Sequence, residues 1–544
     1  MKRIFIAAVS LVMVLFLLTA CRDDNAGADA DANETPAPTE QTEDQTADPT
    51  DDVVTQPEGP ATEVTIWFMG GSVVDDSDVI EAANARLQEL GLNITVNPVW
   101  TGGWDMGTPG QIALDTGDTS IDIIWTGSWG LYYPFNSRLG NFVRLDDPSN
   151  NLLATYGQGM LEAIPDFLWD AFTVDGPQGF GVYGFPGYKD FASTSAWDIN
   201  NTRLSELDID FYDLFDMDGV NYDVIFDPLF EEAMHRAKEM WGPSFFPIAH
   251  DGGTWARMFS ATDHDLTGTG MFHFTFDPRN PSQPTDILPG FTFDDERYMR
   301  VQERMHHFWE QGFIDPRAAI PGEATAAFLD QRNAGEYLFS IVVYAYGHTA
   351  QASNSRGIDA RFPRVSDPVI STITATGSGF ALSIYSRNQA AAVQFMNAWY
   401  TDRILADILT EGVEGTHFSR NADGTITRLE GGRDRYSPWR FGMGNIFVLS
   451  PLDIDGPDYF DRFYEYNAAG TPTTFIGFTF DNSNVLTELA ALAAVRAEFI
   501  QVINTGAADP NTAYPQLIEA SMASGLGRVQ EELHRQLEEF FAQR

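Results

Sequence analysis

Between Val64 and Trp125 short apolar runs alternate with amphipathic stretches: Val64–Met69, Val79–Leu90, Ile94–Trp100, Gln111–Asp115 and Ile121–Trp125. This rhythm predicts strand, helix, strand, helix, strand. Strands joined by helical crossovers pair in parallel, in a sheet covered on both faces. In such sheets ligands sit beyond the carboxyl ends of the strands. The residues to inspect are therefore Gly70 and Gly71, Trp100 to Trp104, and Thr126 to Trp129. From Thr62 to Arg544 the chain runs for about 480 residues with no repeat and no second low-complexity linker. That is too long for one core, and the expected fold is α/β in two lobes.

The N-terminus sets the compartment. Lys2 and Arg3 precede an apolar run from Ile4 to Leu18, followed by Thr19, Ala20 and Cys21. The run is shorter than the roughly 20 residues that span a bilayer, and it ends in small residues suited to cleavage. Residues 1–21 thus read as a signal peptide closing on a lipobox, with Cys21 as the acylated residue. Cys21 is also the only cysteine of 544 residues, so no disulfide staples the mature chain. Residues 22–61 carry twelve acids against Arg22 and almost nothing apolar, which predicts an extended, disordered tether.

Charge excludes some partners. The chain carries a net charge of −46, and Lys2, Lys189 and Lys238 are the only lysines among 32 basic residues. Such a surface argues against nucleic acid and anionic lipid, which leaves the acyl chain as the sole membrane contact. Arginine in place of lysine fits an alkaline or saline habitat, and a lineage-wide codon bias explains it equally.

No H-E-x-x-H zinc helix, G-x-S-x-G elbow or thiol nucleophile stands in the expected folded part. His306, His307 and Glu310 have the spacing of one helix face. Asp216, Asp218 and Gly219 fail the calcium-loop register, since Leu214 would take the first position and Ile225 that of the bidentate glutamate. No cofactor or metal is implied. An anchored glycoside hydrolase would need two carboxylates about 5–9.5 Å apart across a sugar. With 78 acids present, composition cannot single out such a pair. A glycan sensor or adhesin would need the same cleft as a transport component.

Aromatics make up 13% of the chain, and several of its twelve tryptophans lie beside glycines in expected loops. Sugars present flat C–H faces and rings of hydroxyls, so aromatic platforms flanked by polar groups suit them. The candidates are Trp100, Trp104, Trp129, Tyr132, Tyr133, Tyr188, Tyr344, Tyr346 and Trp439, with Thr126 and Ser128 in the loop beside Trp129. Asp190 reads either as an acceptor of hydroxyl hydrogens or as one half of a salt bridge with Lys189 or a nearby arginine, and Arg440 either as a contact to a uronate or hydroxyl or as a packed surface residue. Trp67 and Trp125 lie inside strands, where alternation buries them.

Several segments together resemble the extracellular solute-binding proteins of carbohydrate ABC importers, in their long lipoprotein branch. Val64–Phe68 is similar to the family's first strand, Asp122–Trp129 to its D-[IV]-x-[FW]-x-x-x-W strand and ligand loop, and Phe142–Asp147 to its L-D-D turn. Tyr183–Phe191 resembles the YGIPxYKD segment where the chain first crosses between lobes, and Gly377–Ile384 the return crossing. Thr410–Phe418 resembles the YGIEGxHY signature, and Phe475–Asp481 with the stretch from Thr487 the C-terminal extension. The resemblance covers nearly all of 62–544. It implies two α/β lobes joined by two or three crossings, 62–190 with 376–412 and 191–375 with 413–544, closing on a ligand by hinge motion. It further implies a non-enzymatic, monomeric, lipid-anchored binding protein outside the cell membrane, which hands a sugar, most simply an oligosaccharide, to permease subunits.

Overall fold

The computed structural model describes residues 59–101, 104–253, 255, 266, 267, 271–273, 290, 291, 296–344, 346, 353 and 355–542. Cys21 and the acidic tether lie outside them.

The opening series forms as the periodicity predicts: β1 (Thr62–Phe68), α1 (Ser77–Glu89), β2 (Ile94–Trp100), α2 (Gly107–Asp115) and β3 (Ile123–Thr126). β1 pairs in parallel with β2 from Thr62↔Ile94 to Phe68↔Trp100, and with β3 at Ile66↔Ile123. α1 buries Val79, Ala83 and Leu87, one stripe at helical spacing, against this sheet. Two later strands extend it: β4 (Phe185–Pro186) and, between β3 and β4, β8 (Gly379–Leu382), antiparallel to both. Buried Asp122 locks the edge, its carboxylate accepting from Thr65 N at 3.0 Å and Ser386 Oγ at 2.5 Å.

A second sheet is built on β5 (Ala192–Asn200). β6 (Phe339–Tyr344) runs antiparallel to it from Phe339↔Ile199 to Tyr344↔Thr194, and β7 (Val369–Ile370) pairs antiparallel on its other edge. β9 (Thr471–Pro472) adds to β7 in parallel. The helices α3 (Pro228–Trp241) and α4 (Glu296–Glu310) contribute Phe230, Met234, Met305 and Phe308 to the core of this sheet. α8 (Leu486–Asn504), α9 (Pro510–Ala523) and α10 (Leu526–Ala542) close the same core, α10 through Leu526, Val529, Leu533 and Leu537.

The hydrophobic residues thus divide into two large cores, one under each sheet, and the molecule is two-lobed. One boundary differs from expectation. Residues 413–544 are assigned to the second lobe by sequence, yet Met443, Ile446, Leu449, Tyr459 and Phe463 pack in the first core with Trp399 and Tyr400 of α5 (Gln389–Thr401). After the short helix α6 (Arg403–Glu411) the chain stays with the first lobe. It leaves at the end of α7 (Tyr459–Ala469), through β9, and reaches the second core at Phe475. Among the described residues there are accordingly three crossings, at about 187–191, 371–378 and 470–474.

Among the described residues of the second lobe, His250 is a buried imidazole. His250 is 1% exposed, its Nδ1 accepts the Gly252 N–H at 2.9 Å, and burial lowers its pKa from 6.5 to about 4. A depressed pKa means that folding favours the neutral ring. Its contribution is complete above pH 6.5 and is lost as pH falls through about 4. We expect Tm to decline across that window and the decline to be smaller in His250→Asn, read by thermal unfolding at half-unit pH steps.

Candidate functional site

The loop that follows β3 is pinned to the second crossing. Thr126 is fully buried and its hydroxyl donates to Leu131 O, while Ser128 N donates to Thr376 O at 2.9 Å and Ser128 Oγ to Ile373 O at 2.9 Å. Trp129 Nε1 donates to Gly377 O at 2.6 Å, and Trp125 Nε1 to Ser378 Oγ at 2.8 Å. These bonds fix the ring planes. Trp125 is wholly buried as floor, and Trp129, 45% exposed, stands above it with ring centroids 5.2 Å apart.

Two further indoles complete a cluster. Trp104 is 60% exposed and lies 5.1 Å from Trp439 and 6.3 Å from Trp129, and Trp439 is 5.9 Å from Trp129. Trp439 is brought in by the segment before it, which packs on the turn after β1. Gly71 sits there at φ +82°, and a Cβ would come within 2.6 Å of the Pro438 and Ser437 backbone. Only glycine permits that approach.

Beside the cluster, Gly377 carries the chain past the first crossing. A Cβ at Gly377 would lie 3.8 Å from Lys189 Nζ, so the ammonium is next to the carbonyl that holds Trp129. Lys189 is buried and ion-paired with Asp190. Asp190 in turn acts on a group of phenols. Tyr346 lies 5.8 Å from Tyr459 and 5.9 Å from Tyr466, and Tyr344 is 6.0 Å from Tyr466. Burial first, and then charges that include Asp190, raise the pKa of Tyr459 and of Tyr466. The buried Tyr466 hydroxyl has no hydrogen-bond partner among the described residues.

The candidates therefore separate by position. Trp104, Trp129 and Trp439 converge, Ser128 fixes the Trp129 loop, Lys189–Asp190 lies beside Gly377, and Tyr344 and Tyr346 gather around Tyr466. Trp100, Thr126, Tyr188 and Arg440 are framework instead. Trp100 stacks on Phe68 at 4.5 Å and donates to Asp76 Oδ2 at 2.7 Å. Tyr188 packs 4.5 Å from Phe447, its backbone bridging Gly444 and Ile446, and burial pushes its phenol up to about 12. Arg440 is spent within the first lobe, on Glu411 Oε1 at 3.3 Å and Ser450 O at 3.1 Å. Tyr132 is 55% exposed, whereas Tyr133 is fully buried. Tyr459 and Tyr466 are additions that the sequence did not single out.

The set offers indole faces to flat apolar surfaces and a cation–carboxylate pair to hydroxyls, which suits a ligand with both. The other polar groupings have structural partners. His307 Nε2 meets Glu231 Oε1 at 2.8 Å, and His306 Nδ1 meets Gly506 O at 2.7 Å.

Residues 474–542 match the model of a domain of unknown function, DUF3502. Over 412 residues, 75% of this chain and 78% of the relative, the chain is 21% identical to a carbohydrate ABC transporter substrate-binding protein of Streptococcus pneumoniae. The crystal structure of the N-glycan transport solute binding protein NgtS from S. pneumoniae superposes with a TM-score of 0.72 at 20% identity, over 88% of this chain and 99% of that one. A solute-binding protein from Bifidobacterium longum infantis, described as binding HMO, gives 0.58 at 14% identity over 88% and 99%. The chain thus has the two-lobed fold of these solute-binding proteins, the fold its sequence motifs imply.

Proposed function

We propose that this chain is the substrate-binding component of an ABC importer, which captures an oligosaccharide in the cleft and delivers it to the permease without chemical change. The observation that carries the reading is the cluster of Trp104, Trp129 and Trp439 beside the crossing, with Trp104 and Trp129 left about half exposed. An exposed indole held by a hydrogen bond to a crossing, Trp129, with Trp104 and Trp439 packed around it, is a platform that binds when the lobes close. Closure requires a ligand that contacts both lobes. The tryptophans and Tyr466 belong to the first lobe, Tyr344 of β6 to the second at 6.0 Å from Tyr466, and Asp190 lies in the first crossing. The length of this aromatic run favours several sugar units over one.

Carbohydrate ABC transporter relatives support the transport reading, and NgtS has been solved in complex with Man1GlcNAc and with Man5GlcNAc. Mannose-containing oligosaccharides therefore head the panel for this chain. The purified protein is screened by thermal shift against plant, host and microbial oligosaccharides, and each mixture is chromatographed afterwards. A concentration-dependent rise in Tm with the sugar recovered intact is the expected result. Recovery of a cleaved sugar would make the chain a hydrolase.

Acylation of Cys21 places the cleft outside the cell membrane, and 22–61 serves as spacer. Among the described residues no helix is long and apolar enough to cross a membrane. Cys21→Ser is expected to move the protein from the membrane fraction to the medium, read by fractionation and blotting. Retention in the membrane would overturn the anchor.

A further inference from the structure

Behind the loop that carries Trp439 lies a small cavity of about 10 Å³, lined by Thr410, Glu411, His417, Arg428, Arg433 and Ser437 among others. This is room for one body of atomic size. Two of its lining side chains are almost completely buried and lack partners among the described residues: His417 at 2% exposure through Nε2, and Thr410 at 3% through Oγ1. The tautomer of His417 follows from its other nitrogen. Nδ1 accepts the Val413 N–H at 3.0 Å, so in the neutral ring Nε2 carries the proton and is a donor.

The charges around the cavity are unbalanced. Arg428 grips Glu411 through two bonds of 2.8 and 3.0 Å, and Arg440 reaches the same carboxylate at 3.3 Å. Glu411 is thereby saturated. Arg433 is held by Ser437 Oγ at 2.7 Å, with no ion pair to a carboxylate among the described residues. Three guanidinium groups thus stand around the one carboxylate that lines the cavity, with Asp76 and Asp78 acting on Tyr436 in its wall, in a chain whose net charge is −46. Asp455, the other acid in the field of Arg428 and Arg440, is buried without a donor, and that burial raises its pKa toward the uncharged form.

Buried N–H and O–H groups without acceptors, beside uncompensated positive charge, call for an acceptor that is small and negative. We infer that this cavity binds a single halide ion, chloride in practice, with His417 Nε2, Thr410 Oγ1 and Arg433 as donors. The ion ties the end of α6 and the residues after it to the segment 433–438. Trp439 follows directly, so an occupied cavity steadies the loop that presents this indole to the cleft. The site does not depend on the cleft's being for sugars.

The test compares the purified protein in sodium chloride, sodium bromide and sodium gluconate at equal ionic strength, with crystals grown in bromide. A saturating rise in Tm of about 2 °C in the halides over gluconate is expected, with an anomalous bromine peak in the cavity. Arg433 is exposed, so Arg433→Gln should fold, and it should lose the halide-specific rise. Melting curves identical in all three salts, or a cavity holding only water in bromide crystals, would overturn the inference. So would an Arg433→Gln variant that keeps the full rise.

Discussion

The double substitution Trp104→Ala and Trp129→Ala is expected to weaken oligosaccharide binding by about 3–4 kcal/mol, roughly a hundred- to a thousand-fold, while leaving Tm nearly unchanged. Each indole stands about half exposed in the uncomplexed chain, so removing it opens no cavity in the core. What is lost is the stacking surface that the closed lobes would desolvate, about 2 kcal/mol for each well-placed aromatic. Titration calorimetry with the sugar found in the screen measures this. Trp125→Ala is the contrast. That ring is fully buried, and its loss should lower Tm strongly through a cavity. If the double variant binds as tightly as the parent protein, the tryptophan cluster is not the ligand site and the proposed function loses its main support.

Asp198→Ala is expected to destabilise the protein by about 3–5 kcal/mol. The side chain is wholly buried in β5 and receives Arg332 at 2.6 Å, Arg356 at 2.9 Å and the Tyr337 hydroxyl at 2.8 Å. Removing the carboxylate leaves two largely buried guanidinium groups with no counter-charge, a far larger penalty than breaking a surface pair. The exposed pair Arg361–Asp359 supplies the comparison, and Asp359→Ala there should cost under about 1 kcal/mol. Denaturant midpoints at constant m-value read both. An Asp198 variant as stable as the parent would mean that the two arginines find other partners or water.

The first lobe was legible because its strands are continuous apolar runs. Val64, Ile66 and Phe68 alternate inward in β1, and Ile123, Ile124 and Trp125 are buried together in β3. The centre of the second sheet was not. β5 is rich in Ser, Thr, Asp and Asn, yet almost all of it is buried, because partners distant in sequence satisfy it. Thr194 Oγ1 donates to Ser366 O at 2.7 Å, and Asp198 takes its arginines from 134 and 158 residues away. No local pattern announces such a strand.

The same distinction separates the site residues. Trp104 and Trp129 stand out as candidates in the sequence because glycine-rich loops leave no apolar stripe to absorb them. Arg440 beside Trp439 looked free, since its acid, Glu411, lies 29 residues back. Tyr466 was hidden in the opposite way. Its helix also carries Tyr459, Phe460, Phe463 and Tyr464, so the spacing reads as packing.

The first two crossings are also stitched to each other. Pro186 pairs with Gly379, Gly187 N donates to Ser378 O at 3.0 Å, and Ala192 pairs with Ile370. Two strips joined along their length behave as a leaf spring, compliant to bending and stiff to sliding. Sliding by one residue would turn every side chain to the wrong face. The lobes can therefore change their angle but have little freedom to shift past one another. A cleft with a single angular coordinate gauges its contents like a pair of callipers, so guests of different length would each set their own degree of closure, and under the proposed function that angle is the signal a permease would meet.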